Sequence, residues 1–326
     1  MKNILTVKLR SNMDLKKQVY WYTKKDPIKK PLSHDHSADV VIVGGGMAGL
    51  SAAQKLSEAG KKVVLLEKHH VGAGASGKSS GMISQDSELE LSDLIENWGK
   101  ENARVLWEFV GNSMEIMRKN IKENAIDCDY QEQDYVFIAN DERGFKKVQR
   151  EFKSRESLGY PSRVYTKKDI RELVCSDSYA GALRYPGTFG LNSYLYAQGM
   201  KEILEGRGVE FYEDTPVLGF DGSGAYTEKF KVSAPHILVC MDRFLPSLGK
   251  LHKDIFHVET FMTVSKPLSV EDAERLFPSG NLMVADSDMI YQYFRITGDR
   301  RLLLGGGHSL TTYAWWERKK PEQILP

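Results

Sequence analysis

One glycine-rich turn is the feature of the sequence whose residue types and spacing most directly indicate chemistry. It consists of Gly44, Gly46 and Gly49, with Met47 and Ala48 between the second and third glycines. In such a turn the first glycine permits a tight bend, the second lets the backbone approach a pyrophosphate, and the third lets a helix pack closely on a strand. The spacing predicts a site for the phosphates of a dinucleotide; a glycine turn formed by chance is the alternative.

The elements around the turn have the pattern that such a site requires. Residues 39–43 form a short apolar run, as in a buried parallel strand, and residues 47–59 carry apolar side chains at helical spacing. Residues 63–67 form a second apolar run. Strand, turn, helix and strand follow one another within about 30 residues, as in a dinucleotide-binding βαβ unit.

Glu67 ends the second predicted strand and is followed by Lys68. A carboxylate at this position accepts hydrogen bonds from the two hydroxyls of a ribose and argues against a 2′-phosphate, and hence against NADP. A solvated carboxylate at a strand end is the alternative interpretation. Glu67 and Lys68 therefore join the predicted cofactor-binding residues, but they do not separate FAD from NAD.

A segment rich in glycine and serine follows directly, over residues 71–83. Its backbone can run along a long cofactor and offer amide and hydroxyl groups to a phosphate or to the edge of a flavin. This favours FAD over NAD, with a flexible surface loop as the alternative.

The candidates for catalysis lie late in the chain. Tyr291, Tyr293 and Arg295 alternate along a predicted strand and so share one face. Arg295 is a candidate clamp for a substrate carboxylate, although a solvent-facing amphipathic strand is at least as good an interpretation. His308, after three glycines, is a candidate for facing the flavin, or an ordinary turn residue.

Composition excludes several classes of protein. The chain has 326 residues, 41% hydrophobic, with a net charge of +1, so it carries no overall attraction to nucleic acid or to an anionic membrane. Three widely spaced cysteines and the pair His69 and His70 suggest neither a disulfide framework nor a metal site. No signal peptide or transmembrane segment is predicted, and we expect a cytoplasmic location.

The remaining pattern predicts further elements. A long helix is expected over residues 92–124, with a possible break at Gly99 or Gly111, and a second helix over 193–204. Strands are predicted at 134–139, 209–212, 236–240, 256–264, 282–285, 289–297 and 301–304. Hairpins are predicted at 217–233 and around Gly298 and Asp299, between the last two strands.

Residues 38–83, with their strand–glycine–helix–Glu unit and Gly-Ala-Ser-Gly stretch, resemble the FAD-dependent oxidoreductases of the D-amino acid oxidase family. The resemblance is greatest to the branch with glycine oxidase, sarcosine oxidase and gamma-glutamylputrescine oxidoreductase. Residues 20–22 and 293–306 are similar to the last of these. The resemblance implies oxidation of a small amine or amino acid by hydride transfer to FAD. It also implies that Glu67 binds the adenosine ribose and that the Val217 backbone meets the adenine. The cofactor-binding residues that it implies along the pyrophosphate and isoalloxazine are Ala75, Ser76, Gly77, Gly81 and Met82.

The sequence departs from the family pattern at two places. The family usually has a small Ala-Gly pair after the strand at 236–240, where this chain has Cys240 and Met241. Relatives normally continue into a closing glycine-rich segment beside the flavin, which we do not find before Pro326. A truncated, catalytically impaired flavin-binding remnant is therefore one alternative, and an NAD-dependent dehydrogenase is another.

The fold class predicted is mixed α/β, with a Rossmann-like FAD-binding domain and a substrate domain built on an antiparallel sheet. The arm is placed at residues 1–37, the FAD-binding domain at 38–95 and 186–250, and the substrate domain with its tail at 96–185 and 251–326. The electron acceptor leaves no trace in the sequence.

Overall fold

The computed structural model describes residues 19–22, 30–85, 89–255 and 257–311, and only the backbone of 257–259 and 307–311. Most of the predicted arm, and the tail after 311, lie outside the described residues. The helices are α1 (Met47–Glu58), α2 (Leu91–Trp98), α3 (Lys100–Glu123), α4 (Glu142–Leu158), α5 (Ser193–Gly206) and α6 (Val270–Leu276). Short 3-10 helices cover Ala75–Lys78, Ile170–Glu172 and Asp242–Leu248.

The strands of the described residues form four sheets. The strands of the first half are β1 (His36–Ser37), β2 (Val40–Val43), β3 (Val63–Leu66), β4 (Met82–Ile83), β5 (Gln131–Glu132), β6 (Asp134–Ala139), β7 (Arg163–Thr166), β8 (Gly181–Tyr185) and β9 (Phe189–Gly190). Those of the second half are β10 (Glu210–Tyr212), β11 (Gly219–Asp221), β12 (Gly224–Tyr226), β13 (Lys231–Ser233), β14 (His236–Val239), β15 (His257–Pro267), β16 (Leu282–Asp286), β17 (Tyr293–Ile296) and β18 (Arg301–Thr311).

A four-stranded parallel sheet in the order β10-β3-β2-β14 contains the predicted βαβ unit. Its central strands are apolar throughout because both faces are covered. Ile42 and Leu65 face a core shared with α1 and α5. Val41 and Val64 face the opposite core, beneath the sheet β1-β13-β12-β11. The confirmed βαβ unit places the glycine turn at the carboxyl edge of the sheet.

Strand β14 differs from the prediction of a buried strand. It pairs with β2, as in Ile42 opposite Leu238, and is the last strand of the sheet among the described residues. Leu238 is 39% exposed. The apolar run that predicted burial was misleading because an edge strand keeps one side uncovered even when its composition matches that of its neighbours.

The second large sheet has seven strands in the order β15-β18-β17-β16-β6-β8-β7. Its pairs are antiparallel except β16 with β6, so the predicted antiparallel sheet is found with one parallel pair. The hairpin predicted around 298–299 joins β17 to β18. Helix α4 packs on this sheet and, like β8, was not predicted.

The predicted helix over 92–124 is two helices, α2 and α3, separated at Gly99. Gly99 has a φ of +77°, in the left-handed region that favours glycine, and this ends α2. A small three-stranded sheet, β4-β9-β5, ties the end of the 71–83 segment to the start of α5. The division of the chain into domains stays a prediction.

Candidate cofactor-binding site

A cleft of about 1780 Å³ runs from the carboxyl edge of the parallel sheet to the face of the seven-stranded sheet. Its volume exceeds the roughly 300–1,000 Å³ of most small-molecule pockets, which suits a long cofactor together with a substrate. All of the predicted cofactor-binding residues line it except Gly49, Gly77 and Gly81, which lie behind the lining. Residues placed far apart in the sequence are therefore brought to one site.

The glycine turn is fixed by close approaches of backbone. Gly44 has a φ of +111°, and a Cβ on it would lie 2.3 Å from the Cys240 carbonyl oxygen. A Cβ on Gly49 would lie 2.1 Å from the Gly44 carbonyl oxygen. A side chain at Gly44 would collide with the residue that follows β14, and one at Gly49 would keep α1 from packing on the turn. The fold itself therefore requires the first and third glycines of the motif.

The amino terminus of α1 opens into the cleft. Gly46 caps the helix without a side-chain hydrogen bond, and the first turn contains no acidic residue. The Met47 N–H donates to Ser76 Oγ at 3.0 Å, which ties the helix end to the 71–83 segment. The first N–H groups of a helix have no partner within it, and together with the helix dipole they favour an anion. This end of the cleft fits a pyrophosphate.

The side chain of Glu67 connects the end of β3 to the glycine turn. Its Oε2 accepts from the Gly45 N–H at 2.8 Å and its Oε1 from the His69 N–H at 2.9 Å. A carboxylate has about four acceptor positions, so two remain for other donors. Burial lowers the pKa of the neighbouring His69, and the charge of Lys68 adds to that shift. The site fits a ribose hydroxyl pair, with Val217 lining the cleft nearby.

The loop from Ala73 to Gly81 forms the next part of the wall. A Cβ on Gly77 would lie 2.0 Å from the Gly72 carbonyl oxygen, and one on Gly81 would lie 1.9 Å from that of Leu191. These glycines let the loop pack tightly on the elements behind it. Neither glycine lines the cleft, so the two support the lining from behind.

The far wall comes from the seven-stranded sheet. Tyr135 and Phe137 from β6, Met262 from β15 and Tyr293 from β17 line the cleft, together with Tyr291 just before β17. Burial raises the pKa of Tyr293, so its phenol keeps its proton at neutral pH. The rings of Tyr291 and Tyr293 lie 5.8 Å apart. The sequence missed Tyr135 and Phe137, although their alternation along β6 was available as a signal.

Arg295 does not lie where a residue that binds a substrate carboxylate would have to be. It is fully buried and does not line the cleft. Its Nε donates to the Ser80 carbonyl oxygen at 3.0 Å and its Nη2 to that of Leu191 at 2.7 Å. Burial lowers its pKa to about 10, against the opposing charge of Asp129. The guanidinium therefore supports the cleft wall from behind, and its predicted role in binding a carboxylate finds no support in this arrangement.

The other sequence candidates are placed as follows. His308 belongs to β18, but its side chain lies outside the described residues. Cys240 lines the cleft, and burial raises the pKa of its thiol. Within the described part of the chain, no group of three or more His, Cys, Asp or Glu residues is placed to hold a metal ion. The helices described there include none that is long and apolar enough to cross a membrane.

The parallel sheet, the glycine turn and the acidic strand end define a dinucleotide-binding fold. Residues 39–325 match the model of the family described as FAD dependent oxidoreductase, and the chain belongs to this family. It is 29% identical over 86% of its length to the Haemophilus influenzae protein named "Probable oxidoreductase OrdL", of which 67% is covered. It is 30% identical over 85% of its length to gamma-glutamylputrescine oxidoreductase of Escherichia coli, of which 66% is covered.

The fold is also that of glycine oxidase from Geobacillus kaustophilus. The TM-score is 0.69 at 21% identity, covering 85% of this chain and 73% of that one. The chain spans about two thirds of the length of the two curated relatives. The cofactor of this family is FAD, which confirms the predicted cofactor and goes against an NAD-dependent dehydrogenase.

Proposed function

We propose that this protein oxidises a small amine or amino acid, with FAD bound along the cleft. The observation that carries the proposal is the continuity of the cleft, from the glycine turn and Glu67 to the aromatic wall around Tyr293. A cofactor bound by its phosphates at the turn lies along the 73–81 loop, and a substrate fits between that loop and the wall. The name of gamma-glutamylputrescine oxidoreductase agrees with oxidation of an amine, and the other relative is named only as a probable oxidoreductase.

Several elements around the cleft have a role in holding the cofactor. The amino terminus of α1 binds the pyrophosphate through its N–H groups, and Glu67 accepts from the ribose. Val217 and Lys68 border the adenosine end, Ser76 lies beside the pyrophosphate at the start of α1, and Ala75 and Met82 border the flavin end. Bound FAD supplies the hydride acceptor for the reaction.

The aromatic wall acts on the substrate. Tyr135, Phe137 and Met262 present apolar surface that displaces water from the reacting carbon. Tyr293 keeps its proton on Oη because burial raises its pKa, so it donates a hydrogen bond without adding a charge. Tyr293 thus orients a polar group of the substrate. Because bound FAD is the oxidant, no side chain of the protein has to accept electrons.

The test is anaerobic mixing of the FAD-loaded protein with a panel of amines and of D- and L-amino acids, followed by visible absorbance. The proposal predicts that at least one class of compound bleaches the oxidised flavin. A panel that leaves the flavin oxidised, while dithionite reduces it, would support the alternative of a flavin-binding protein without turnover. That result would contradict the proposed function but not the binding of FAD.

A further inference from the structure

The short segment Val19–Tyr22, here called the anchor, lies against the outer side of the loop that lines the flavin end of the cleft. Trp21 is 2% exposed and packs with Tyr194 and Leu303, one from α5 and one from β18. Trp21 is thus enclosed between α5, which packs on the parallel sheet, and β18, which belongs to the seven-stranded sheet. It comes before the first strand in the chain and belongs to neither of the two large sheets.

Two side chains of the anchor donate directly to the loop. Trp21 Nε1 donates to the Ser79 carbonyl oxygen at 2.6 Å, and the Tyr22 hydroxyl donates to that of Ala73 at 3.2 Å. The two contacts hold the loop at both ends of its 3-10 turn, Ala75–Lys78. The loop is therefore fixed from outside at two points that its own sequence does not supply.

Arg295 adds a third point and also fixes Trp21. Its Nε donates to the Ser80 carbonyl oxygen, next to the acceptor of Trp21, and its guanidinium carbon lies 5.4 Å from the centroid of the Trp21 ring. Asn192 Nδ2 donates to the Trp21 carbonyl oxygen at 3.3 Å. Since Arg295 and Asn192 both reach the anchor from the body of the protein, the anchor and the loop form one connected network.

These bonds determine which groups of the loop face the cleft. The carbonyls of Ala73, Ser79 and Ser80 are all turned toward the anchor and Arg295. In a trans peptide the N–H points opposite to the carbonyl. The N–H groups of Gly74 and Ser80, both in cleft-lining residues, are therefore directed away from the anchor. Backbone donors directed in this way are available to the acceptor atoms of a bound cofactor.

We propose that Trp21 and Tyr22 are positioning residues for FAD: they hold the 73–81 loop in the conformation that binds the cofactor. The inference rests on the cofactor site proposed above and extends it to residues that do not line the cleft. It explains why an aromatic segment otherwise remote from the βαβ unit is enclosed between α5 and β18.

The test compares two conservative variants, their combination and a matched control by their dissociation constants for FAD. Trp21→Phe keeps an aromatic ring but removes the donor to Ser79, and Tyr22→Phe removes only the hydroxyl bonded to Ala73. Loss of one such hydrogen bond is expected to raise the dissociation constant about fivefold, and the double variant about 25-fold. Tyr20→Phe is the matched control, because its hydroxyl donates to Asp299, at 2.5 Å, and not to the loop.

A second readout separates positioning from general stability. In the apoprotein, amides of the 73–81 loop are expected to exchange faster with solvent in Trp21→Phe and Tyr22→Phe, while those of α1 stay unchanged. The inference is overturned if both variants bind FAD within twofold of the parent protein, or if Tyr20→Phe weakens binding equally. If the parent protein itself fails to bind FAD, the proposed function fails, which is a distinguishable result.

Discussion

The Glu67 carboxylate accepts a hydrogen bond from the backbone N–H of Gly45 at 2.8 Å. This contact joins the end of β3 to the turn that follows β2, so the predicted ribose site and the predicted phosphate site form one unit. The second carboxylate oxygen is held by the N–H of His69. Glu67 is thus oriented before any ligand arrives, which reduces the ordering cost of binding.

Glu67→Gln is expected to weaken FAD binding by about tenfold or more. The amide presents a donor where the ribose needs an acceptor, and hydrogen bonds to a charged group contribute roughly 1.5–3 kcal/mol. Quenching of flavin fluorescence on titration into apoprotein measures the change. Glu58→Gln, at the exposed end of α1, is the control. Equal affinity of Glu67→Gln and the parent protein would contradict the role assigned to this carboxylate.

Gly49→Ala is expected to destabilise the apoprotein by about 3 kcal/mol, since its Cβ would lie 2.1 Å from a backbone oxygen that has little freedom to move. Gly206→Ala, at the end of α5 with nothing within 4 Å of the added carbon, is the control and is expected to be neutral or slightly stabilising. Urea unfolding measures both. A Gly49→Ala protein as stable as the control would show that α1 packs differently on β2.

Alkylation of the three cysteines is expected to follow their environments. Cys175 is exposed and reacts first. Burial raises the pKa of Cys240, and raises that of Cys128 to about 12. At pH 8 only a small fraction of either residue is therefore in the thiolate form, and both react slowly. The rate at Cys240 should rise with pH and fall when FAD fills the cleft that this residue lines. Peptide mapping after iodoacetamide treatment measures each site, and a Cys240 rate unaffected by FAD would argue against the cleft.

Tyr293→Phe is expected to leave the FAD dissociation constant within twofold and to lower kcat/KM about fivefold. The change removes one hydrogen-bond donor from the substrate end of the cleft while keeping the ring. Tyr179→Phe, which alters a half-buried tyrosine packed in the core of the seven-stranded sheet, is the control. Unchanged turnover in Tyr293→Phe, with a substrate found by anaerobic reduction, would remove this residue from the site.

The sequence predicted the βαβ unit that carries the candidate cofactor site because the constraints on that unit are local. Gly44, Gly49 and Glu67 lie within one βαβ unit, where spacing along the chain determines position in space. The break at Gly99 and the hairpin at 298–299 were likewise predicted, since each depends on neighbouring residues. The sequence did not predict the contacts that support the glycine turn. The hydrogen bond from the Met47 N–H to Ser76 Oγ, for example, forms only when the 71–83 segment folds back against the start of α1.

The substrate half depends on contacts between distant parts of the chain. Tyr135 and Phe137 reach the cleft because β6 lies beside β16, a parallel pairing that local patterns do not specify. The alternation of Tyr293 and Arg295 gave the shared face but not the depth of each residue. Arg295 lies farther along the strand, beneath the loop and against Trp21, so a charged side chain that resembled a substrate clamp is a buried support.

The absorption spectrum of the purified protein, recorded before and after denaturation, tests the central claim most directly. We predict a yellow protein with oxidised-flavin absorbance, or a colourless apoprotein that acquires it stoichiometrically on addition of FAD, and release of intact FAD on denaturation. A colourless protein that refuses FAD, and binds NADH instead, would contradict the account.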